Sequence, residues 1–197
     1  KAGVEVLASG PHGQRIYFGN GLFEVQVGKP KMRPRLLAVL AGGSGITPAL
    51  SVLREIQAEA RRKVDKREAW RLMDYENEVG ASAVHVLHVN QSLEDALPPG
   101  FYDDPSLAEQ LLPVHVCNLA TRAKLENEGA LQDNRTEQPG TVAVVRYGEL
   151  TTKVIKEAFP APAEEVLAVV CGPRGFIVGA CQPLLQELGF PHVIAMW

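Results

Sequence analysis

The sequence predicts an α/β domain built on a doubly wound parallel sheet of five to six strands. Three observations carry this. Leu36 to Ala41, Ala83 to Val89, Pro113 to Leu119 and Val166 to Val170 are near-continuous apolar runs, the pattern of strands buried on both faces. The first and last of these empty into glycine-bearing turns, Gly42-Gly43-Ser44-Gly45 and Cys171-Gly172-Pro173-Arg174-Gly175, and each turn is followed by helix-periodic sequence. The chain has 197 residues and 46% hydrophobic content, which suffices for one ordinary core, or one domain plus a fragment of another.

The elements follow in order. Gly3 to Leu7 alternates like a strand already in progress, so the start looks cut. Arg15 to Phe18 and Leu22 to Val27 read as further short strands between turns at Gly10-Pro11-His12-Gly13 and Gly19-Asn20-Gly21. Three short strands do not make a sheet domain, so residues 1–30 are expected to be the tail of a larger β domain. Residues 31–34 form a basic, proline-bearing linker, and 35–197 the main domain.

Leu36 to Ala41 is the first strand. Thr47 is a cap candidate, and Pro48 suits the first turn of a helix that aligns Leu50, Leu53 and Ile56. The charged stretch 59–68 reads as a solvated face, and Trp70, Met73 and Tyr75 suggest a second short helix. In the second strand, His85 and His88 fall on opposite faces, so they form no metal pair and read as structural. Ser106 to Leu112 is a short helix candidate, and 125–140 a loop. Val142 to Val145 is a fourth strand. Leu150 to Phe159 is a helix with Val154, Ile155 and Ala158 inward, stopped by Pro160 and Pro162. Phe176 to Leu188 is a helix with Ile177, Ala180, Leu184 and Leu188 on one side, closed by Gly189, and Pro191 to Met196 is the last strand.

Net charge is −3 and the isoelectric point about 6.0, so nothing favours nucleic acid or an anionic membrane surface. No apolar run spans a bilayer and no signal-peptide pattern opens the chain; any membrane link would lie on a segment outside it. Three widely spaced cysteines, Cys117, Cys171 and Cys181, without a CxxC, argue against a disulfide framework or metal site and for a reducing compartment.

The chemistry collects at strand ends. Glycines admit close backbone approach, and a helix start offers unpaired N–H groups, a combination suited to pyrophosphate at Gly42, Gly43, Ser44, Gly45, Thr47 and Pro48. Asn90 and Gln91 end the second strand in polar groups. Thr121, Arg122 and Lys124 follow the third, where a hydroxyl and cations suit a phosphate or ribose.

The turns and their order resemble the ferredoxin–NADP reductase superfamily, most of all its cytochrome b₅ reductase branch and the flavin–NADH portion of nitrate reductases. Leu40 to Pro48 is similar to the family's A-G-G-T-G-I-T-P, with Ser44 for Thr. Cys171-Gly172-Pro173 is similar to its C-G-P, and Asn90-Gln91-Ser92 to its A-N-Q/R-T. Gly10 to Gly13, Tyr17 and Gly19 to Phe23 look like the end of its flavin barrel. The resemblance implies that residues 1–30 are the remnant of an FAD-binding β-barrel and 35–197 an NAD(P)-binding domain. It implies hydride transfer from NADH or NADPH to FAD, then single electrons to a cytochrome b₅-like haem protein or iron–sulfur acceptor. Cys171 and Thr47 would take catalytic positions beside the nicotinamide, with Gly172, Pro173 and Phe176 binding the cofactor beside them. Trp197 is expected to pack in the core, the alternative being that it covers the flavin face as terminal aromatics do in plant-type relatives. The location implied is cytoplasmic, including the cytosolic face of a membrane for an intact protein.

The departures are informative. The family's R-x-Y-[ST] flavin motif has no counterpart here, so this stretch is expected to be inactive without an upstream FAD-binding lobe. Arg174-Gly175-Phe176 replaces prolines and methionine, and Gly148-Glu149-Leu150 replaces G-[FY]-[VI]. Where NADH-preferring relatives carry an acid after the third strand, Ala120, Thr121 and Arg122 stand, closer to the Ser-Arg pair of NADPH users. Two rival readings are a nitrate reductase-type multidomain enzyme and a nucleotide-sensing module without electron transfer.

Overall fold

The structure is a computed structural model, and it describes residues 16–26, 28–69, 81–98, 101–102, 112–122, 136–138 and 141–196, without the side chains of 63–69, 136–138 and 141–142. The expectations for Gly3 to Leu7, for Gly10 to Gly13, for Trp70, Met73 and Tyr75, for the helix at 106–111, for Lys124 and for Trp197 lie outside the described residues.

Strands β1 (Leu36–Gly42), β2 (Ala83–Asn90), β3 (Val114–Ala120), β4 (Thr136–Gln138), β5 (Thr141–Tyr147), β6 (Val166–Cys171) and β7 (His192–Met196) form one sheet in the order β4-β5-β3-β2-β1-β6-β7. Six strands are parallel, as the apolar runs predict; β4 pairs antiparallel with β5. This short edge overturns the reading of 125–140 as loop throughout. Three polar residues carry no alternation, and the pairing comes from the neighbouring strand rather than from their own pattern.

Helix α1 (Ile46–Ala69) covers one face and buries Leu50, Leu53 and Ile56 against Leu167, Val169 and Ile194. It starts one residue before the expected cap, Thr47. A 3₁₀ turn at Gly43–Gly45 winds straight into it, and the Ile46 N–H bonds the Gly43 and Ser44 carbonyls, so no side-chain cap is needed. The other face carries α2 (Thr152–Ala158), capped by the Thr151 hydroxyl, which accepts from Val154 N–H. Beside it runs one continuous helical segment: α3 (Arg174–Phe176), a π-helical turn (Ile177–Cys181) and α4 (Gln182–Leu188), closed by Gly189 at φ 82°. The extra residue of the π turn moves the inward stripe. Ile177, Cys181 and Leu185 are fully buried, while Leu184 and Leu188 pack at the margin and Ala180 is half-buried.

Residues 16–32 make isolated antiparallel bridges, Tyr17 with Phe23 and Phe23 with Met32, so Met32 of the expected linker takes part in the pairing. Phe23 is buried in the α1-side core. Glu59 of α1 holds this segment by accepting from the Tyr17 hydroxyl and from Asn20 N–H.

From β1 the chain winds outward through β2, β3 and β5, then returns to β6 on the other side of β1. The crossovers after β1 and β6 use opposite faces of the sheet. Their carboxyl ends therefore flank the topological switch point, where open α/β sheets leave a crevice.

Candidate functional site

Parallel pairing sets Ala41 beside Cys171, so the Gly42–Gly45 turn and the Cys171–Pro173 turn emerge side by side. Their backbones touch. A Cβ at Gly45 would stand 2.6 Å from the Gly172 nitrogen, and one at Gly42 would stand 2.8 Å from the Phe176 ring. Gly43 at φ 52° and Gly172 at φ 147° hold conformations that side chains resist. The two glycine turns predicted from sequence thus form one backbone-on-backbone seam.

A cavity of about 680 Å³ opens from this seam along α1 toward the end of β2. Its wall includes the predicted Gly43, Ser44, Thr47, Asn90 and Gln91, together with Arg54. Asn90 is 6% exposed, and its amide nitrogen has no hydrogen-bond partner among the described residues. A buried donor left open in a cavity wall fits an acceptor on a bound molecule.

The ends of β2 and β3 are tied together. Thr121 N–H and hydroxyl both donate to the Asn90 carbonyl, at 2.9 and 3.1 Å. Arg122 N–H donates to the Gln91 carbonyl at 2.9 Å, and its guanidinium donates to the Gln91 side-chain oxygen at 2.9 Å. A neutral amide orients the guanidinium without cancelling its charge. Thr121 and Arg122 are exposed beside the cavity's β2 end but are not part of its wall.

On the other side of the seam, Pro173 is exposed and Gly172 buried. Phe176 packs beneath Gly42 and Gly172 and into the α2-side core, backing the turns rather than walling the cavity. Pro48 sits half-buried in the first turn of α1. Cys171 is 0% exposed; its thiol donates to the Met196 sulfur at 3.6 Å, and burial pushes its pKa up to about 12. It is a protonated, packed group at the strand end. Among the described residues no group of His, Cys, Asp and Glu is arranged to hold a metal, and no helix is long and apolar enough to cross a membrane.

Sequence reasoning read His88 as structural and did not single out Tyr102. The structure places both beside the glycine turn, with His88 in the cavity wall: His88 Nε2 lies 2.9 Å from the Gly43 carbonyl and Nδ1 3.0 Å from the Tyr102 hydroxyl. A histidine within an apolar strand run was the available signal; its partners lie 14 and 45 residues away, beyond any local pattern.

No protein-family model matches the chain. It is 28% identical over 197 residues to NADH-cytochrome b5 reductase 2 of Xenopus laevis, covering 98% of this chain and 54% of that protein. It is 30% identical over 191 residues to the NADH nitrate reductase of Cucurbita maxima, covering 96% of this chain and 17% of that one. The cytochrome b5 reductase domain of Ulva prolifera nitrate reductase has a similar fold, with TM-score 0.54 and 18% identity over 85% of this chain and 50% of that one. The chain spans about half the length of the cytochrome b5 reductases it matches and about one sixth of that of the nitrate reductases.

Proposed function

We propose that this member of the ferredoxin–NADP reductase-like family is the pyridine-nucleotide lobe of an NAD(P)H-dependent flavoprotein reductase. The observation that carries the reading is the glycine seam at the switch point, opening into a cavity whose wall holds Asn90, its amide nitrogen without a partner among the described residues. Relatives named for NADH and for cytochrome b5 or nitrate support the same class. When bound, NAD(P)H supplies a hydride and FAD, on an upstream lobe, divides the electrons singly for a haem or iron–sulfur acceptor.

The chain's own residues bind and orient. Gly42, Gly43, Ser44 and Gly45 receive the pyrophosphate at the start of α1, where unpaired N–H groups and the helix dipole favour anionic oxygens. Thr47 lies in the same first turn, and Pro48 follows it. Asn90 and Gln91 meet the adenosine side of the dinucleotide. Cys171, Gly172 and Pro173 form the floor on the nicotinamide side; the buried thiol shapes that floor without acting as a nucleophile. Phe176 supports both turns from below. Residues 1–30 belong to the flavin lobe and 35–197 to the nucleotide lobe. The acceptor is a cytochrome b₅-like haem protein or a comparable one-electron carrier.

Thr121 and Arg122 read the adenosine ribose, with Arg122, oriented by the neutral Gln91 amide, presenting its cation to a 2′-phosphate. NADPH is therefore the preferred nucleotide. Calorimetric titration of the chain with NADPH and with NADH tests this: NADPH binds about tenfold tighter, the scale of one charge-assisted contact. Arg122→Glu reverses or erases the preference while leaving NADH affinity within about twofold. Failure to bind either nucleotide removes the reading.

A further inference from the structure

A buried polar chain runs from the glycine turn to α1, and its histidine, His88, also lines the cavity beside Gly43. His88 of β2 is 1% exposed. Its Nε2 meets the Gly43 carbonyl at 2.9 Å and its Nδ1 the Tyr102 hydroxyl at 3.0 Å. The Tyr102 backbone carbonyl in turn accepts from Gln57 Nε2 of α1 at 3.0 Å. A carbonyl only accepts, so His88 Nε2 carries the hydrogen. In the neutral ring Nδ1 is then the acceptor and the Tyr102 hydroxyl the donor. One tautomer satisfies every atom. The same Gly43 carbonyl also receives the Ile46 N–H at the start of α1. Three separate pieces of chain, β2, α1 and the 101–102 segment, therefore converge on the one glycine held at φ 52°.

We propose that His88 and Tyr102 are positioning residues for the nucleotide. They lock the Gly43–Gly45 turn, through the Gly43 carbonyl, in the shape that receives the pyrophosphate. This deepens the reading above and rests on it. A glycine turn has the largest backbone freedom to lose, so an unlocked turn would be ordered at the expense of affinity. A buried donor on its carbonyl orders it in advance; because His88 also lines the cavity, Ile46 exchange separates this ordering from any direct contact with the nucleotide. Tyr102 extends the effect, because its neighbour Phe101 is 48% exposed and walls the same cavity; fixing Tyr102 on α1 fixes that wall against the turn.

The test compares the whole chain with His88→Phe, which keeps the ring and removes both nitrogens, His88→Gln, whose amide can donate to the same carbonyl, and Tyr102→Phe. Two readouts are taken: NADPH and NADH affinity by calorimetry, and amide hydrogen exchange at Ile46 relative to core-strand amides. His88→Phe is expected to weaken both nucleotides about tenfold and to speed Ile46 exchange at least as much, with strand amides little changed. His88→Gln recovers to within about threefold of the parent, and Tyr102→Phe falls between. A folded His88→Phe chain with parental affinity and parental Ile46 exchange overturns the proposal. Should that variant not fold, nitrogen-15 shifts of His88 in the parent decide it. The Nε2–H tautomer at neutral pH supports the lock, and the Nδ1–H tautomer or a charged ring overturns it. A parent chain that binds neither nucleotide defeats the functional reading instead, and the Ile46 comparison still judges the lock itself.

Discussion

Gly45 is where the two sheet ends touch, so a single methyl there probes the seam directly. The atoms it would meet belong to the Gly172 and Cys171 backbone, which cannot swing aside as a side-chain tip can. Gly45→Ala is expected to cost about 2 kcal/mol in urea unfolding, the range of overpacked sites, and to weaken nucleotide binding with it. Gly175→Ala, at an α3 position with open space around the added carbon, should leave stability unchanged or slightly raised. Equal stability for Gly45→Ala and the parent would mean the turns are further apart than described. The three thiols offer a second test at this scale. All are buried, and burial pushes Cys171 and Cys181 up to about 12. A disulfide reagent at pH 8 should therefore react with none of them in the folded chain and with all three after unfolding. Rapid labelling of the native chain would exclude the packed position of Cys171. Residue-scale legibility was uneven. Gly42 to Gly45 and Cys171 to Pro173 could be read because their turn chemistry is local. The service of His88 to Gly43 could not, since it depends on a tautomer and on partners that only the sheet brings near.

The strands show why elements were easier to read than their margins. A strand buried on both faces writes itself as an apolar run, and β1, β2, β3 and β6 were each found to within a residue or two. β4 has three polar residues and borrows its structure from β5, so nothing in its own sequence marks it. The π turn is likewise invisible to a 3.6-residue pattern, and it shifted the inward stripe of the last helix by one place. Strand β2 also carries a pH dependence of its own. His88 faces α1, and His85 stacks on His115 at 4.6 Å on the opposite face. Burial lowers the pKa of both His85 and His88, with His115 adding to the effect at His85. The unfolded chain therefore takes up protons near the ordinary value of 6.5 that the folded chain refuses. Stability is full above that pH and declines as pH falls below it, until the folded-state values are reached. Urea midpoints measured from pH 7.5 to 5 should fall accordingly, and His85→Gln should flatten part of the slope. A midpoint that rises on acidification would contradict the burial of both rings.

At the scale of the whole molecule, the switch point was legible because two strand–glycine–helix units imply adjacent sheet ends, and the parallel register of β1 with β6 delivers that adjacency. The ligand's identity is a finer matter, decided by charge. The chain carries a net −3, so its overall field opposes an anionic dinucleotide, and the proposed preference for NADPH would have to come from cations close to the 2′-phosphate. Arg122, the cation proposed for that place, is exposed, and its guanidinium donates to the neutral Gln91 amide. An exposed contact of this kind is screened by salt, whereas pyrophosphate binding through backbone N–H groups at the glycine turn is less so. The ratio of NADPH to NADH affinity should therefore shrink by about threefold or more as salt rises from roughly 0.02 to 0.5 M, while NADH affinity alone changes less. The measurement separates two origins of selectivity. A ratio that collapses with salt belongs to Arg122. A ratio that holds steady belongs to shape, in the tie of Thr121 to Asn90, and would relieve Arg122 of the role assigned to it here.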